Sequence, residues 1–231
     1  IEFAKLYLTN VVTGKRYIKK LVEDKVVDGW DDPRLVTIAA LRRRGYTKES
    51  LAQFIKLSGI SKAQSSSDYS LLEYCIREDL KLKKPRYMAV LDPIKLVIDN
   101  YEGEGEILRI PNNLENEALG EREVSFSKDL YIERDDFMPD PPKKYKRLTM
   151  ENEVRLMGAY FVKCTSYELD EAGRVSVVHV EYDKETKSGS GFEGRKVKGT
   201  IHWVHASTAV KAECRLYENI VDEEKGKLDE E

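Results

Sequence analysis

Hydrophobic residues recur with a helical period in the segment 31–85. Each of three apolar stretches begins after a residue that can cap a helix and ends at a residue that stops one. The expected caps and stops are Asp32 and Gly45, Thr47 and Gly59, and Asp68 and Pro85. In the first helix, Pro33 is expected to occupy the first helical position. The pattern therefore predicts a compact helical subdomain over residues 31–85.

After Pro85 the hydrophobic period changes to two. Short runs rich in β-branched and aromatic residues alternate with Asp-Pro, Glu-Gly and Pro-Asn turns, as in an all-β barrel or sandwich. The proline-rich stretch MPDPPKK, at 138–144, indicates a joint between two β units. We therefore predict an α+β protein in which one β-barrel covers residues 86–140 and a second covers residues 141–231.

The first thirty residues differ from both of these segments. IEFAKLYLTNVV has the alternation of a strand, and Thr13-Gly14 is typical of a turn. Because the sequence begins in mid-strand without a methionine, we expect residues 1–30 to be the end of a domain in a longer protein.

Composition favours a folded protein without a membrane segment. Hydrophobic residues make up 41% of the chain, and no apolar run approaches the roughly 20 residues that span a bilayer. No signal segment opens the sequence, so we expect a cytoplasmic protein. Cys75, Cys164 and Cys214 are far apart and are expected to be buried thiols. His202 and His205 would lie on opposite faces of a strand, and no metal site is predicted.

Positive charge is concentrated in a few short segments. The net charge is −3, but acidic residues crowd the C-terminal end, so the remainder of the chain is slightly basic. KLKKPR (81–86) and KKYKR (143–147) combine cations with Tyr87 and Tyr145. Cations beside aromatic rings suit a surface that follows a phosphate backbone and stacks bases. Solvated loops between domains are the alternative interpretation.

The first predicted helix ends on three arginines, Arg42, Arg43 and Arg44. One or two cations near the C-terminus of a helix would complement its dipole. Because three arginines exceed what the helix dipole needs, the cluster indicates a negatively charged partner. The alternative is an exposed cluster that pairs with a nearby carboxylate such as Asp31.

This order of segments resembles the C-terminal half of the glutaminyl-tRNA synthetase family. The resemblance spans nearly the whole chain and is carried by TGKR, GWDDPR, LRRRGY, CIREDL, PRYMAVLDPIKLVI, YKRL and KGTIHWV. GWDDPR and LRRRGY also occur in glutamyl enzymes of the archaeal and eukaryotic type. CIREDL and PRYMAVLDPIKLVIDNYEGEGE are more specific and indicate glutamine.

The resemblance implies a class I ligase that uses ATP, with Mg²⁺, to activate glutamine and esterify tRNA-Gln. Thr13, Gly14, Lys15 and Arg16 would form the loop equivalent to the family's KMSKS signature. Lys15 would stabilise the charge that develops on the leaving pyrophosphate. Gly14 replaces a serine of the family pattern and Thr13 a methionine. The HIGH signature is absent from this sequence, so we expect this fragment, a monomer, to be inactive alone and to hold no cofactor.

The resemblance also implies that two β-barrels unstack the anticodon and read its bases. Arg86 and Arg147 would be the base readers, while Lys146 and Arg155 would face phosphates or the wobble base. The helical subdomain would lie along the inner elbow of the tRNA, with Arg42 to Arg44 near its phosphate backbone. The first barrel is expected to be incomplete, because the family's chain continues further and returns to it. The positions that depart from the family's wobble-base pattern are Lys81, Glu115 and Met157.

Two other interpretations remain open at this point. An archaeal-type glutamyl-tRNA synthetase would differ in its amino acid and in the third anticodon base. A non-catalytic RNA-binding protein would keep the helical and β modules and lack the catalytic core. An encoded upstream HIGH segment would exclude the second interpretation.

Overall fold

The computed structural model describes residues 2–217 and 220–221. The chain divides into two compact units, one formed by Ile1–Lys84 with Arg215–Glu231 and the other by Pro85–Cys214. The break after Lys84 coincides with the predicted end of the helical subdomain, whereas no break between units falls at residue 30 or residue 140. None of the helices in the described residues has the length and apolar character needed to cross a bilayer.

The first unit is mainly helical. Its elements among the described residues are β1 (Leu6–Leu8), α1 (Lys15–Glu23), α2 (Ile38–Arg43), α3 (Lys48–Ser58), β2 (Ser65–Ser67) and α4 (Tyr69–Lys83). β1 and β2 pair in parallel. The serine-rich segment before α4 therefore contributes a short strand, which satisfies backbone groups of β1.

Local caps set the boundaries of these helices. The hydroxyl of Thr47 accepts a hydrogen bond from the Ser50 amide at 3.1 Å, and the carboxylate of Asp68 accepts one from the Ser70 amide at 2.7 Å. Both caps confirm the predicted starts of α3 and α4. α2 begins later than predicted, at Ile38, after a cap formed by Thr37.

The prediction that Asp32 caps a helix starting at Pro33 is therefore wrong. The buried carboxylate of Asp32 accepts hydrogen bonds from the amides of Asp28 and Arg34 and, at 2.9 and 2.7 Å, from the Arg34 guanidinium. The bond from Arg34 holds the pKa of Asp32 well below its usual range. These contacts close a turn ahead of α2. Gly45 ends α2 with a φ of 89°, as predicted.

Two small hydrophobic clusters hold the first unit together. One surrounds α1 and consists of Val12, Ile18, Leu21, Val27, Leu35 and Ala40. The other joins α2, α3 and α4 and consists of Leu41, Tyr46, Phe54, Leu72 and Cys75. Because Ile18 and Leu21 face the first cluster, the exposed side of α1 carries the cations of its first turn.

The second unit is built from β-strands and three short 3₁₀ turns, Glu117–Leu119, Arg134–Asp136 and Lys184–Thr186. Its strands are β3 (Pro93–Ile98), β4 (Glu106–Pro111), β5 (Glu121–Phe126), β6 (Asp129–Glu133), β7 (Val154–Leu156), β8 (Phe161–Leu169), β9 (Val175–Asp183), β10 (Thr200–Ile201) and β11 (Val204–His205). β4 and β5 form an antiparallel hairpin, and the others form a sheet in the order β10-β7-β8-β9-β3-β6-β11. The α+β class is confirmed, and residues 86–91, at the start of the first predicted β unit, lie outside the strands.

The seven-stranded sheet combines strands from both predicted β units. β3 pairs in parallel with β9, with Lys95 opposite Val177, so this topology differs from separate barrels over 86–140 and 141–231. The outer strands, β10 and β11, are separated along the chain only by His202 and Trp203. Residues 200–205 therefore pair with β7 on one side and β6 on the other. The sheet consequently curls until its two edges meet at this segment.

Aromatic side chains fill the interior of the curled sheet. Trp203 is 0% exposed, and its ring lies edge-to-face against Phe126 with 5.2 Å between centroids. Its Nε1 donates a hydrogen bond to the Met157 carbonyl at 3.0 Å. Cys164 belongs to the same core, and Cys75 is also buried, whereas Cys214 is exposed. The expectation of three buried thiols is therefore wrong for Cys214, which follows the last strand of the described chain.

A histidine on β9 links three strands electrostatically. Nδ1 of His179 lies 3.0 Å from the carboxylate of Asp99, and Nε2 lies 3.0 Å from that of Glu168. The hydrogen bond to Asp99, followed by the one to Glu168, raises the pKa of His179 above its usual value. The protonated ring therefore stabilises the folded state.

This contact predicts a pH-dependent stability difference between the wild type and His179→Asn. Because the folded pKa is raised, the stabilisation is complete below the unfolded pKa of about 6.5 and is lost as pH rises through the folded pKa. We expect a difference in unfolding free energy of about 1 kcal/mol near pH 5.5 that decreases as the pH rises through the folded pKa of His179. Urea denaturation at each pH measures it, and a difference that grows with pH would contradict it.

Candidate nucleic-acid interface

Lys15 and Arg16, expected in a loop, occupy the first turn of α1. Gly14 is the N-cap residue, with φ −80° and ψ 122°, and it makes no side-chain capping bond. The first turn contains no acidic residue, and the side chains of Lys15 and Arg16 are exposed. Backbone amides at a helix N-terminus together with two cations favour an anion. The predicted Thr13–Arg16 loop is thus a helix start because Ile18 and Leu21 bury the face that follows.

The three arginines at the C-terminal end of α2 have different surroundings. Arg42 is exposed and makes no ion pair or side-chain hydrogen bond with another residue that the structure describes. Arg43 pairs with Asp31, with Nη1 and Oδ2 3.4 Å apart, which is the carboxylate contact considered as an alternative. Arg44 donates a hydrogen bond to the hydroxyl of Tyr69 and lies over its ring. Within this cluster, Arg42 is the most available to a polyanion.

Arg86 begins the extended segment that leads to β3. Its amide donates to the Asn112 carbonyl at 2.7 Å, and Nη2 lies 3.2 Å from Oε1 of Glu115. The side chain is 48% exposed. Glu115, which departs from the family pattern, therefore holds the guanidinium while much of it faces solvent.

Arg147 forms an ion pair, through Nη1, with Oδ1 of Asp136. The Asp136 side chain is 0% exposed, whereas that of Arg147 is 52% exposed. No hydrogen-bond donor of the described residues satisfies the Asp136 carboxylate in addition to this pair. Arg147 therefore compensates a buried charge with one end of its guanidinium and faces solvent with the rest.

Arg155, on β7, is turned toward the protein. Its Nη1 donates to the carbonyls of Ala159 and Thr186 and to the hydroxyl of Ser188, at 3.2, 3.0 and 2.8 Å. The guanidinium carbon lies 4.2 Å from the centre of the Phe161 ring. Burial lowers the pKa of Arg155. The structure thus uses this guanidinium to hold the loop after β9 and does not present it as an exposed cation.

Lys146 lines a basic cavity of about 560 Å³ in the second unit. The cations around this cavity are Lys144, Lys146, Lys163, Lys196 and Lys198. Two acids, Glu151 and Glu153, also line it, so lysines predominate. A concave surface with this charge attracts phosphate groups. We call it the lysine cavity.

Sequence reasoning identified only the 143–147 side of the lysine cavity. Lys163 comes from β8, and the other two cations come from the segment before β10. Lys196 and Lys198 are two residues apart and both line the cavity, a spacing that would place them on one face of an extended segment and that the sequence does offer. Close approach of the two segments requires Gly199, where a Cβ would lie 1.9 Å from the Lys146 carbonyl oxygen.

The two tyrosines noted among the basic segments also differ. The Tyr145 hydroxyl donates to the Asp135 carbonyl at 2.8 Å, and burial raises the pKa of Tyr145 to about 12. Tyr87 is 74% exposed. No cluster of three or more metal-ligating side chains occurs among the residues that the structure describes.

Family models match both units of this chain. The model described as tRNA synthetases class I (E and Q), catalytic domain, matches residues 2–82, and the corresponding anti-codon binding domain matches residues 84–183. The chain belongs to this class I tRNA synthetase family. The first match contains Lys15 and the three arginines at the end of α2, and the second contains Arg86, Lys146, Arg147 and Arg155.

Individual relatives agree with the family match. A glutamine–tRNA ligase of Clostridium perfringens is 59% identical over 96% of this chain and 40% of its own length. Those of Clostridium kluyveri and Escherichia coli O157:H7 are 51% and 47% identical over 100% and 95% of this chain. The chain thus spans about two fifths of the length of these curated relatives. The resemblance deduced from the sequence is confirmed, and the archaeal-type glutamyl alternative is not favoured.

Proposed function

We propose that this chain is the C-terminal tRNA-binding part of a glutamine–tRNA ligase that uses ATP to attach glutamine to tRNA-Gln. The observation that carries the proposal is the anticodon-binding match over residues 84–183, which includes the exposed guanidinium groups of Arg86 and Arg147. The identity of 59% to a glutamine–tRNA ligase supports the choice of amino acid. The complete protein would act as a monomer in the cytoplasm, where translation uses its product.

The start of α1 is the proposed contact with ATP. Bound with Mg²⁺, ATP would supply the adenylyl group that becomes joined to the carboxylate of glutamine, with pyrophosphate as the leaving group. Lys15 and Arg16 fit this role because they are exposed beside an N-terminus without an acidic neighbour. Lys15 would stabilise the negative charge that increases as pyrophosphate leaves. Gly14 contributes no hydroxyl where the family pattern has serine. We expect this chain alone not to activate glutamine.

The second unit is the proposed anticodon reader. Unpaired bases can be splayed out and read on their edges, and an arginine fork can satisfy two acceptors at once. Arg86 and Arg147 would each read one base. The lysine cavity, with Lys146, would hold phosphates between them. Arg155 would contribute by fixing the loop that it binds rather than by touching RNA.

A binding experiment with Arg86→Ala tests this proposal. The chain is titrated, at one salt concentration, with tRNA-Gln, with tRNA-Gln changed at the central anticodon base, and with tRNA-Glu. A wrong base costs about 1–3 kcal/mol in recognition of this kind. We therefore expect the wild type to lose at least about tenfold in affinity on the single base change. Arg86→Ala should bind tRNA-Gln and its changed form nearly equally.

Arg42→Ala provides the matched control in the same experiment. A phosphate contact positions RNA without reading sequence, so this variant should bind all three tRNAs more weakly by a similar factor. Its affinity should also depend less steeply on salt. Equal binding of the three tRNAs by the wild type would contradict the proposed reading of the anticodon.

A further inference from the structure

An exposed aromatic ring lies directly beside the proposed base reader. Tyr87 follows Arg86, and its side chain is 74% exposed. The guanidinium carbon of Arg122, on β5, lies 5.2 Å from the centre of the Tyr87 ring. One face of the ring is therefore covered by a cation, and the high exposure leaves the rest open to solvent.

The hairpin of β4 and β5 holds this pair in place. Nη1 of Arg122 donates to the Pro111 carbonyl and to the Asn112 side-chain oxygen, each at 3.4 Å. The Asn112 carbonyl accepts the amide of Arg86 at 2.7 Å. Asn112 thus connects the cation beneath the ring to the backbone that carries Arg86 and Tyr87. The hairpin therefore holds both the cation beneath the ring and the backbone at Arg86.

This arrangement has the chemistry of a stacking platform. A tyrosine ring offers a flat apolar surface, and a guanidinium against one face fixes the ring through a cation–π contact. The open face suits any nucleobase, because every base has a π-face. Tyr145 cannot serve in this way, since its hydroxyl is bonded to Asp135 and its ring is partly buried.

We propose that Tyr87, held by Arg122, stacks on an unpaired base of the tRNA anticodon loop, adjacent to the base that Arg86 reads. The inference rests on the proposed function and names a residue that acts by stacking rather than by hydrogen bonding. It gives a role to a large aromatic ring that is exposed to solvent beside a cation. It also predicts that Tyr87 contributes more to binding affinity than to discrimination between bases, because stacking is tolerant of sequence.

Two substitutions at Tyr87 separate stacking from other roles. Tyr87→Phe keeps the ring, and Tyr87→Leu keeps apolar bulk without it. We expect Tyr87→Leu to bind tRNA-Gln about five- to 150-fold more weakly than the wild type, the range for one base stacked on an aromatic ring. Tyr87→Phe should bind within about threefold of the wild type. The preference for the correct central base should persist in both variants.

A crosslinking measurement gives the position directly. 5-Iodouridine, placed in turn at each pyrimidine of the anticodon loop, crosslinks on irradiation to an aromatic ring stacked on it. Mass spectrometry should find the crosslink at residue 87 in the wild type and in Tyr87→Phe, and not in Tyr87→Leu.

The outcomes distinguish this inference from the proposed function. If the wild type discriminates between anticodons but Tyr87→Leu binds as tightly as the wild type, only the stacking role is overturned. A crosslink confined to other residues would have the same meaning. If the wild type does not bind tRNA or ignores the anticodon, the proposed function and the stacking role both fail.

Discussion

Trp203→Ala is expected to lower the free energy of unfolding by about 3–5 kcal/mol. Trp203 is 0% exposed and lies between the two strands, β10 and β11, that close the curled sheet. Its removal leaves a large cavity beside Phe126 and deprives the Met157 carbonyl of the indole donor. Urea denaturation followed by far-ultraviolet circular dichroism measures the loss.

Trp203→Phe and Leu114→Ala are the matched comparisons. The phenylalanine retains much of the buried ring but lacks the indole N–H, so about 1–3 kcal/mol should be lost. Leu114 is exposed in the same unit, and its truncation should change stability by less than about 0.5 kcal/mol. If Trp203→Ala cost no more than Leu114→Ala, the sheet would not be closed around this side chain.

Arg147→Ala is expected to lower the free energy of unfolding by about 2–4 kcal/mol. The substitution leaves the fully buried carboxylate of Asp136 without its cation. Breaking a buried pair from one side costs about 3–5 kcal/mol, and the half-exposed position of Arg147 lets water offset part of that cost. Chemical denaturation at neutral pH measures the change.

A second substitution identifies the buried charge as the cause. In the double variant Arg147→Ala/Asp136→Asn, a neutral amide replaces the buried carboxylate, so more than half of the lost stability should return. Arg109→Ala removes a cation from an exposed pair with Glu123 and should cost less than about 1 kcal/mol. Equal losses for Arg109→Ala and Arg147→Ala would show that Asp136 does not depend on Arg147.

The same ion pair affects how RNA-binding data on Arg147 should be interpreted. A variant that is partly unfolded loses affinity for every tRNA, whether or not its side chain touched a base. Lower affinity of Arg147→Ala therefore supports base reading only when the folded fraction is measured and the loss depends on the anticodon. The partner of Arg86, Glu115, is accessible to solvent, so substitution of Arg86 should not destabilise the fold to a comparable degree. Arg86→Ala therefore gives the clearer test of base reading.

Local rules predicted α2, α3 and α4 of the first unit but not α1. Thr47, Asp68 and Gly45 act within one turn of their own positions, so the sequence around them contains the whole cause. The role of Asp32 was predicted wrongly because its carboxylate can either cap a helix or bond to neighbouring groups. In the structure it accepts hydrogen bonds from the Arg34 side chain and the Asp28 amide, and no helix begins at Pro33.

The β unit was predicted as strands but not as one sheet. Alternation identifies a strand and its buried face, yet it carries no information on which strand lies beside it. The parallel pairing of β3 with β9 joins residues on opposite sides of the proline-rich segment. Because of that pairing, strands from both sides of residue 140 belong to one sheet, in contrast to the predicted boundary there.

The sequence could name candidate cations but not their surroundings. Arg86 and Arg147 are half exposed in the structure, whereas the acceptors around Arg155 come from segments that only the fold brings together. Three lysines of the lysine cavity, Lys163, Lys196 and Lys198, also lay outside the basic segments noted in the sequence. Side-chain direction depends on packing between distant residues, and charge patterns along the chain do not contain it.

The segment 200–205 has a consequence for the order of folding. Thr200 pairs beside Arg155 and Val204 beside Tyr131, so neither half can dock until β6 and β7 are in place. Contacts of such long sequence separation require chain entropy to be lost before they contribute stability. Closure is therefore a late step, and a nascent chain released before Trp203 has been synthesised would expose the aromatic interior to other chains.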